Sequence, residues 1–291
     1  MIALRVPAST ANLGPGFDAL GLALELTAHV GIAEGAVPDG ARLVDERHPA
    51  DIAFRRGGGE GALWVRSPIP MARGLGYSGA MRVGGLAAAA VQRAGGPIDL
   101  GVVAPVLLEH AVELEGHADN VAASLHGGFV ATAAGRVARV PLALEPAVVL
   151  WIPSQETSTQ RSRHALPSSV SFADATFNVG RTALLVAALA SGDVEALRWA
   201  TADRLHQDRR LAAAPTSRDA LSLGLDAGAW CGWLSGSGPS VAFLCDPDAA
   251  EALAAALPPD GHTKVVAVAA RGVELLESSA TESPKNRMPS F

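Results

Sequence analysis

Residues 5–24 read RVPASTANLGPGFDALGLAL. The stretch sets three glycines, two prolines and two polar side chains suited to a ligand, Asn12 and Asp18, around one turn. In the Gly14-Pro15-Gly16 core the proline holds one φ at about −65°, and its neighbours are free to take conformations a side chain would forbid. Apolar runs flank the turn, residues 2–6 before it and 20–32 after it. Both read as strands, so the loop lies at a strand end, where ligands commonly sit. A glycine-rich β-turn with no ligand is the alternative for these residues taken alone.

With 291 residues the chain can bury two cores, and two domains are expected. Apolar residues make up 49% and aromatic ones 4%, a composition that suits a soluble protein of tightly packed, alanine-rich helices. The longest apolar runs, near 86–91 and 183–190, are too short to span a membrane. No charged-then-apolar leader precedes the first strand, so a cytoplasmic location and no membrane partner are expected. The net charge of −6 argues against a nucleic-acid partner, which would normally meet a basic face. Cys231 and Cys245 lie on strand-like apolar runs without His or Cys at ligand spacing and read as buried free thiols. Residues 278–291 are polar with two prolines and read as a flexible tail.

The order of elements is α+β rather than a regular βαβ repeat. Strands are expected at 62–65, in a hairpin over 129–140, and at 147–152, 229–234, 241–245 and 264–269. Helices are expected at 78–93, from a first turn holding Pro105 to Glu115, and at 178–190, 194–205 and 247–257. Residues 38–61 read as loop. The stretch 142–146 reads as a boundary that separates a first domain, 1–146, from a second, 147–277.

Four further segments carry chemistry. Residues 70–80, PMARGLGYSGA, put bare glycines ahead of a helix. Backbone N–H groups can then approach a polyphosphate, and the helix's unpaired N–H groups and positive dipole end face the same anion. By itself the GLG run is a weak signal. Glu109 and Glu113 share a helix face, with Glu115 displaced from it, and a solvated acidic stripe explains the pair equally well. Residues 115–120, EGHADN, are unusually polar for so apolar a chain, although Asp119 or Asn120 could simply cap a helix starting near Val121. Thr159-Gln160-Arg161-Ser162-Arg163 and the run 204–210, RLHQDRR, supply arginines that could form two forks on one carboxylate. Residues 234–240, LSGSGPS, turn between two apolar strands.

Residues 5–24, 70–80 and 234–240 together resemble the three motifs of the GHMP kinases (galactokinase, homoserine kinase, mevalonate kinase and phosphomevalonate kinase). The wording of 5–24 and 115–120 is closest to the homoserine kinase branch, and the resemblance reaches at least Pro239. It implies a two-domain GHMP kinase fold, with a ribosomal-protein-like α+β domain followed by a ferredoxin-like one. It also implies ATP and Mg²⁺ as the needs of the reaction, with L-homoserine phosphorylated on its side-chain hydroxyl in threonine biosynthesis. Another GHMP small-molecule kinase, or a noncatalytic binder on the same fold, are the alternatives, and a homodimer is left open.

Carried over residue by residue, the resemblance gives nucleotide contacts to Pro70, Arg73, Gly74, Leu75, Gly76, Tyr77, Ser78, Gly79 and Ala80. Ser78 and Glu113 are the expected magnesium ligands, hard oxygen donors of the kind that ion selects. Asp119, with Asn120, is the expected catalytic group, orienting or accepting the hydroxyl proton. Asn12, Asp18, His117, Asn120, Thr159, Arg163, Arg210 and Ser237 are the expected substrate contacts, with the arginines on the carboxylate and Asn12 and Asp18 on the hydroxyl and ammonium ends. Two positions depart from the family wording. Tyr77 stands where the first serine is usual, and Gly79 where alanine or serine is usual.

Overall fold

Strand β1 (Ala3–Ala11) delivers the first loop and β2 (Leu20–Ile32) leaves it. The two pair antiparallel, with a register shift between Pro7 and Ala8. That bulge lets β1 run to Ala11 rather than stop before Pro7, a residue that cannot donate to a ladder. In the computed structural model, residues 2–276 are described; the tail expected at 278–291 lies outside them.

Next come β3 (Arg42–Leu43), α1 (Pro49–Arg56) and β4 (Leu63–Arg66). Helix α1 occupies a segment expected to be loop. It starts at a histidine cap, His48, whose Nδ1 accepts from the Ala50 N–H, and histidine is not among the residues that announce a helix start. Helices α2 (Tyr77–Arg93), α3 (Leu100–Glu115) and α4 (Asp119–His126) follow, and then the hairpin β5 (Phe129–Ala133) and β6 (Arg136–Val140). Helix α3 begins a turn earlier than Pro105 suggests, because Asp99 caps it through the Gly101 N–H at 2.8 Å.

The remainder runs β7 (Ala147–Pro153), α5 (Thr159–His164), α6 (Phe172–Ser191), α7 (Val194–Ala200), α8 (Gln207–Ala212) and α9 (Pro215–Asp226). It continues through β8 (Cys231–Leu234), β9 (Val241–Cys245), a 3₁₀ turn, α10 (Ala250–Ala256), β10 (Gly261–Ala267) and β11 (Glu274–Leu275). Helix α7 stops at Ala200 instead of reaching 205. The Asp203 carboxylate takes the backbone N–H groups of Leu205, His206 and Gln207 and turns the chain.

Two sheets organise these elements. The first has seven strands: β11-β1-β2-β4-β3 in sequence across it, with β5 also on β2 and β6 on β5. The second has four, β10-β7-β9-β8, all antiparallel, which is the 4-1-3-2 order of a ferredoxin-like sheet. Strand β7 opens it at Ala147, but residues 268–276 leave it again, and β11 pairs with β1 in the first sheet. Glu274 and Leu275, within the span expected for the second domain, thus pair with the first sheet.

Helix α2 lies on β1 and β2 at close range: a Cβ on Gly84 would stand 2.6 Å from Val30. Likewise β2 is pressed against the start of α4, where a Cβ on Gly21 would meet the Asp119 carbonyl oxygen at 2.4 Å. This contact puts the first loop and Asp119 on one wall. Beneath the second sheet, α9 and α10 cover Val149, Trp151 and Phe243. Cys231 and Cys245 are free and buried, and burial pushes both thiols up, Cys231 to about 12.

Candidate active site

The loop between β1 and β2 is held open by its own side chains. Asn12 spends its carboxamide on two backbones, accepting from the Asp18 N–H at 3.0 Å and donating to the Gly236 carbonyl at 2.9 Å. It thereby ties the first motif to the third. Asp18, with φ +56°, turns its carboxylate onto Arg163, which grips it with two hydrogen bonds of 2.6 and 2.7 Å. The Arg163 and Arg210 guanidinium carbons each lie 5.3 Å from the centre of the Phe17 ring, so both arginines meet over one aromatic side chain.

Arg210 is buried, and its placement is built from the sequence around it. His206, one helical turn earlier, lies 3.2 Å from it through Nδ1, and the His206 Nε2 meets the Gly14 carbonyl at 2.8 Å. Burial lowers the His206 pKa, so its neutral ring donates from Nε2 and accepts at Nδ1. Arg210 also donates to the Gly236 carbonyl, while its buried Nε has no hydrogen-bond partner among the described residues. Burial, then the charge of Arg163, lower its pKa to about 10, which leaves it charged at neutral pH.

The second motif carries Gly74 and Gly76 at φ +74° and +68°, with Gly76 at the N-terminus of α2 and no side chain capping that helix. Its first N–H groups are thus available to an anion. The third motif buttresses the loop. Ser235 donates to the Gly74 carbonyl at 2.7 Å, and a Cβ on Gly74 would collide with the Ser235 carbonyl oxygen at 2.2 Å. Ser237 reaches Thr159, hydroxyl to hydroxyl, at 3.2 Å. Arg73 is not free for a phosphate: its guanidinium bonds the Met71, Pro153 and Ser154 carbonyls and pairs with Glu156. Leu75 and Ala80 are core side chains, so these two contribute backbone only.

One assignment is corrected. Glu113 is exposed and pairs with Arg56 at 2.6 Å. The carboxylate beside Ser78 belongs to Glu115, which accepts from the Ser78 hydroxyl at 2.9 Å and pairs with Arg82. Two residues along a helix rotate the side chain by about 200°. Glu113 thus shares the solvent side with Glu109, and Glu115 turns inward just before the left-handed Gly116 ends α3. Past that glycine, His117 meets Asp119 at 2.9 Å, and Asp119 also accepts from the Asn120 N–H at 2.7 Å. Asn120 accepts from Ser9 at 2.9 Å.

All of these groups, from Asn12 and Asp18 through the 70–78 loop, Glu115, His117, Asp119 and Asn120 to Thr159, Arg163, Arg210 and Ser237, line one cavity of about 330 Å³. Gly79 and Ala80 do not. Among the described residues no three His, Cys, Asp or Glu are grouped to hold a metal ion. A Ser78 hydroxyl beside a Glu115 carboxylate does fit Mg²⁺, which takes few protein ligands and fills its shell with water and phosphate oxygens. Phe17, Glu115 and His206 lie inside the segments singled out above without being given a role, and Arg82 and Asp203 lie outside them. The turn-spaced His206 and Arg210 are the one legible sign of them.

No described helix is long and apolar enough to cross a membrane. The family model of the GHMP kinases N terminal domain matches residues 41–128, and that of the GHMP kinases C terminal matches residues 185–261. A homoserine kinase of Thermus thermophilus is 40% identical over 285 residues, 91% of this chain and 95% of that protein. One of Gloeobacter violaceus is 40% identical over 276 residues, 87% and 91% of the two chains. The crystal structure of homoserine kinase from Cytophaga hutchinsonii matches with a TM-score of 0.81 at 27% identity, covering 94% of this chain and 97% of that one.

Proposed function

This chain belongs to the GHMP kinases, and from that premise we propose that its cavity moves the γ-phosphoryl group of ATP to the side-chain hydroxyl of L-homoserine. Its activity is that of a homoserine kinase, a step of threonine biosynthesis. We place that activity in the cytoplasm. The observation that carries the substrate reading is the Asp18, Arg163 and Arg210 cluster around Phe17, opening into the same cavity as the glycine loop. An α-amino acid brings one ammonium and one carboxylate, and the cluster holds their counter-charges.

The substrate ammonium takes Asp18. Its carboxylate takes Arg163 and Arg210, and the unpartnered Arg210 Nε gains an acceptor. The side-chain hydroxyl then points toward Asp119 and Asn120, beside Gly76. The γ-phosphoryl group lies against the N–H groups of the 74–76 loop and the first turn of α2. Ser78 and Glu115 hold Mg²⁺ on this reading, and the ion supplies charge neutralisation on the phosphate oxygens. The hydroxyl oxygen forms its bond to phosphorus as the bond to the β-phosphate bridging oxygen breaks, and ADP leaves with that electron pair. Asp119, oriented by His117 and the Asn120 N–H, takes up the hydroxyl proton. Positioning does most of the work in so loose a transition state.

ADP release with ATP and Mg²⁺ across a panel of hydroxylated acceptors tests this reading. L-Homoserine is expected to turn over fastest and to yield O-phospho-L-homoserine. Faster turnover of mevalonate or a sugar overturns the acceptor, and tight binding of homoserine without turnover overturns the kinase reading.

A further inference from the structure

We propose that Tyr77 donates its phenolic hydrogen to the nucleoside half of ATP, and that His48 is the positioning residue that leaves this hydrogen free to do so. The proposal rests on the kinase reading above. Tyr77 is the first residue of α2, directly after Gly76, yet its side chain runs away from the glycine loop to the start of α1. There its hydroxyl lies 2.9 Å from His48 Nε2, and the two rings meet edge to face with centroids 6.0 Å apart. Both residues line the cavity, together with Pro49 and Met71.

The direction of that hydrogen bond follows from the other ring nitrogen. His48 Nδ1 accepts from the Ala50 N–H at 3.2 Å and so carries no proton. A neutral imidazole must then hold its proton on Nε2 and give it to the Tyr77 oxygen. Burial, then the nearby Arg42, push the His48 pKa down against the weaker pull of Asp45 and Asp51, which keeps the ring neutral. A phenol has one hydrogen to donate, and His48 does not receive it. Tyr77 has no other hydrogen-bond partner among the described residues.

The position of the pair identifies what receives the hydrogen. Asp18, Arg163 and Arg210 gather around Phe17, and Gly74 and Gly76 stand against Ser235, Ser9 and Asn120. Tyr77 and His48 form a wall of the same cavity, at the start of α2 directly after the glycine loop and at the cap of α1. A triphosphate held by that loop, its terminal group toward the acceptor, directs its sugar and base to this wall. One neutral donor in a half-apolar setting of Pro49, Met71 and two rings suits the neutral acceptors of a nucleoside better than a charged phosphate.

Tyr77→Phe removes the hydrogen and keeps the ring. It is expected to raise the KM for ATP, and the calorimetric Kd for ATP, about three- to tenfold, as loss of one neutral hydrogen bond does. The kcat and the homoserine KM stay within about twofold, a split that a general loosening of the site would not produce. The affinity for inorganic tripolyphosphate, which carries no nucleoside, stays unchanged in the same variant. His48→Ala weakens ATP binding similarly, and the double variant is no worse than Tyr77→Phe alone, because both act through one hydrogen. Unchanged ATP affinity in Tyr77→Phe overturns the proposal, and so does an equal loss for tripolyphosphate. Because the calorimetric arms need no turnover, an enzyme idle on homoserine would sink the acceptor reading while still deciding this one.

Discussion

Arg163 and Asp18, 145 residues apart in the chain, close on each other through two parallel hydrogen bonds at the mouth of the acceptor cluster. On the proposed reading the pair is a matched set of counter-charges that an amino acid would separate, each half then facing one end of the substrate. Arg163→Ala should therefore raise the homoserine KM about tenfold or more while the ATP KM moves little, as initial rates of ADP release would report. Both side chains are part exposed. The homoserine KM of the wild type should also climb with added salt, and that climb should be blunted in the variant.

Arg210 poses the opposite case, a buried cation that the proposed reading gives to the substrate carboxylate. Its folded value of about 10 lies below its ordinary value, so the cost of the charged form is fully present below pH 10 and is relieved only as pH rises past it. Replacing it with methionine removes that cost. Arg210→Met should melt about 2–4 °C above the wild type at neutral pH without substrate, and should lose homoserine binding. Differential scanning calorimetry with and without homoserine reads both effects.

Glu115 and Glu113 separate by a simple comparison. Glu115→Gln should raise the Mg²⁺ concentration needed for half-maximal rate by at least about tenfold. Glu113→Gln breaks only an exposed pair with Arg56 and should leave the Mg²⁺ curve where it was.

Gly79 has room for a methyl group: a Cβ there would meet Asn120 Cβ at 3.4 Å. Gly79→Ala should stabilise the fold by about 0.5–1 kcal/mol through helix propensity alone. Gly21→Ala forces a methyl group onto the Asp119 carbonyl and should lower the melting temperature, and, on the proposed role of Asp119 as proton acceptor, kcat as well.

The three glycine motifs were legible because tight turns and close backbone approach admit few residue types, and Gly74 against Ser235 is a contact only glycine can make. Asp18 and Arg163 could be named, but their mutual grip could not, because it depends on how the loop between β1 and β2 meets helix α5. The expectation for Glu113 comes from the resemblance, which puts a glutamate on this helix shortly before 117–120; its spacing from Glu109 fits a solvated stripe equally well. Glu115 faces Ser78 because Gly116 ends the helix and α2 packs alongside, neither of which spacing reveals. Helix α1 was hidden by its histidine cap, and with it the partner of Tyr77.

Residues 268–276 have a bearing on the order in which the protein is made. They thread back past Gly128 and Ala23, seat Gly272 against the Leu125 carbonyl at the far end of α4, and finish on β1. While a ribosome is still delivering the second sheet, β1 is a bare edge with one flank unpaired, open to pairing with a neighbouring nascent chain. A chain made as far as β10 therefore already holds all three glycine motifs with Arg163 and Arg210, yet β1, the strand that leads into Asn12, still has one flank uncovered.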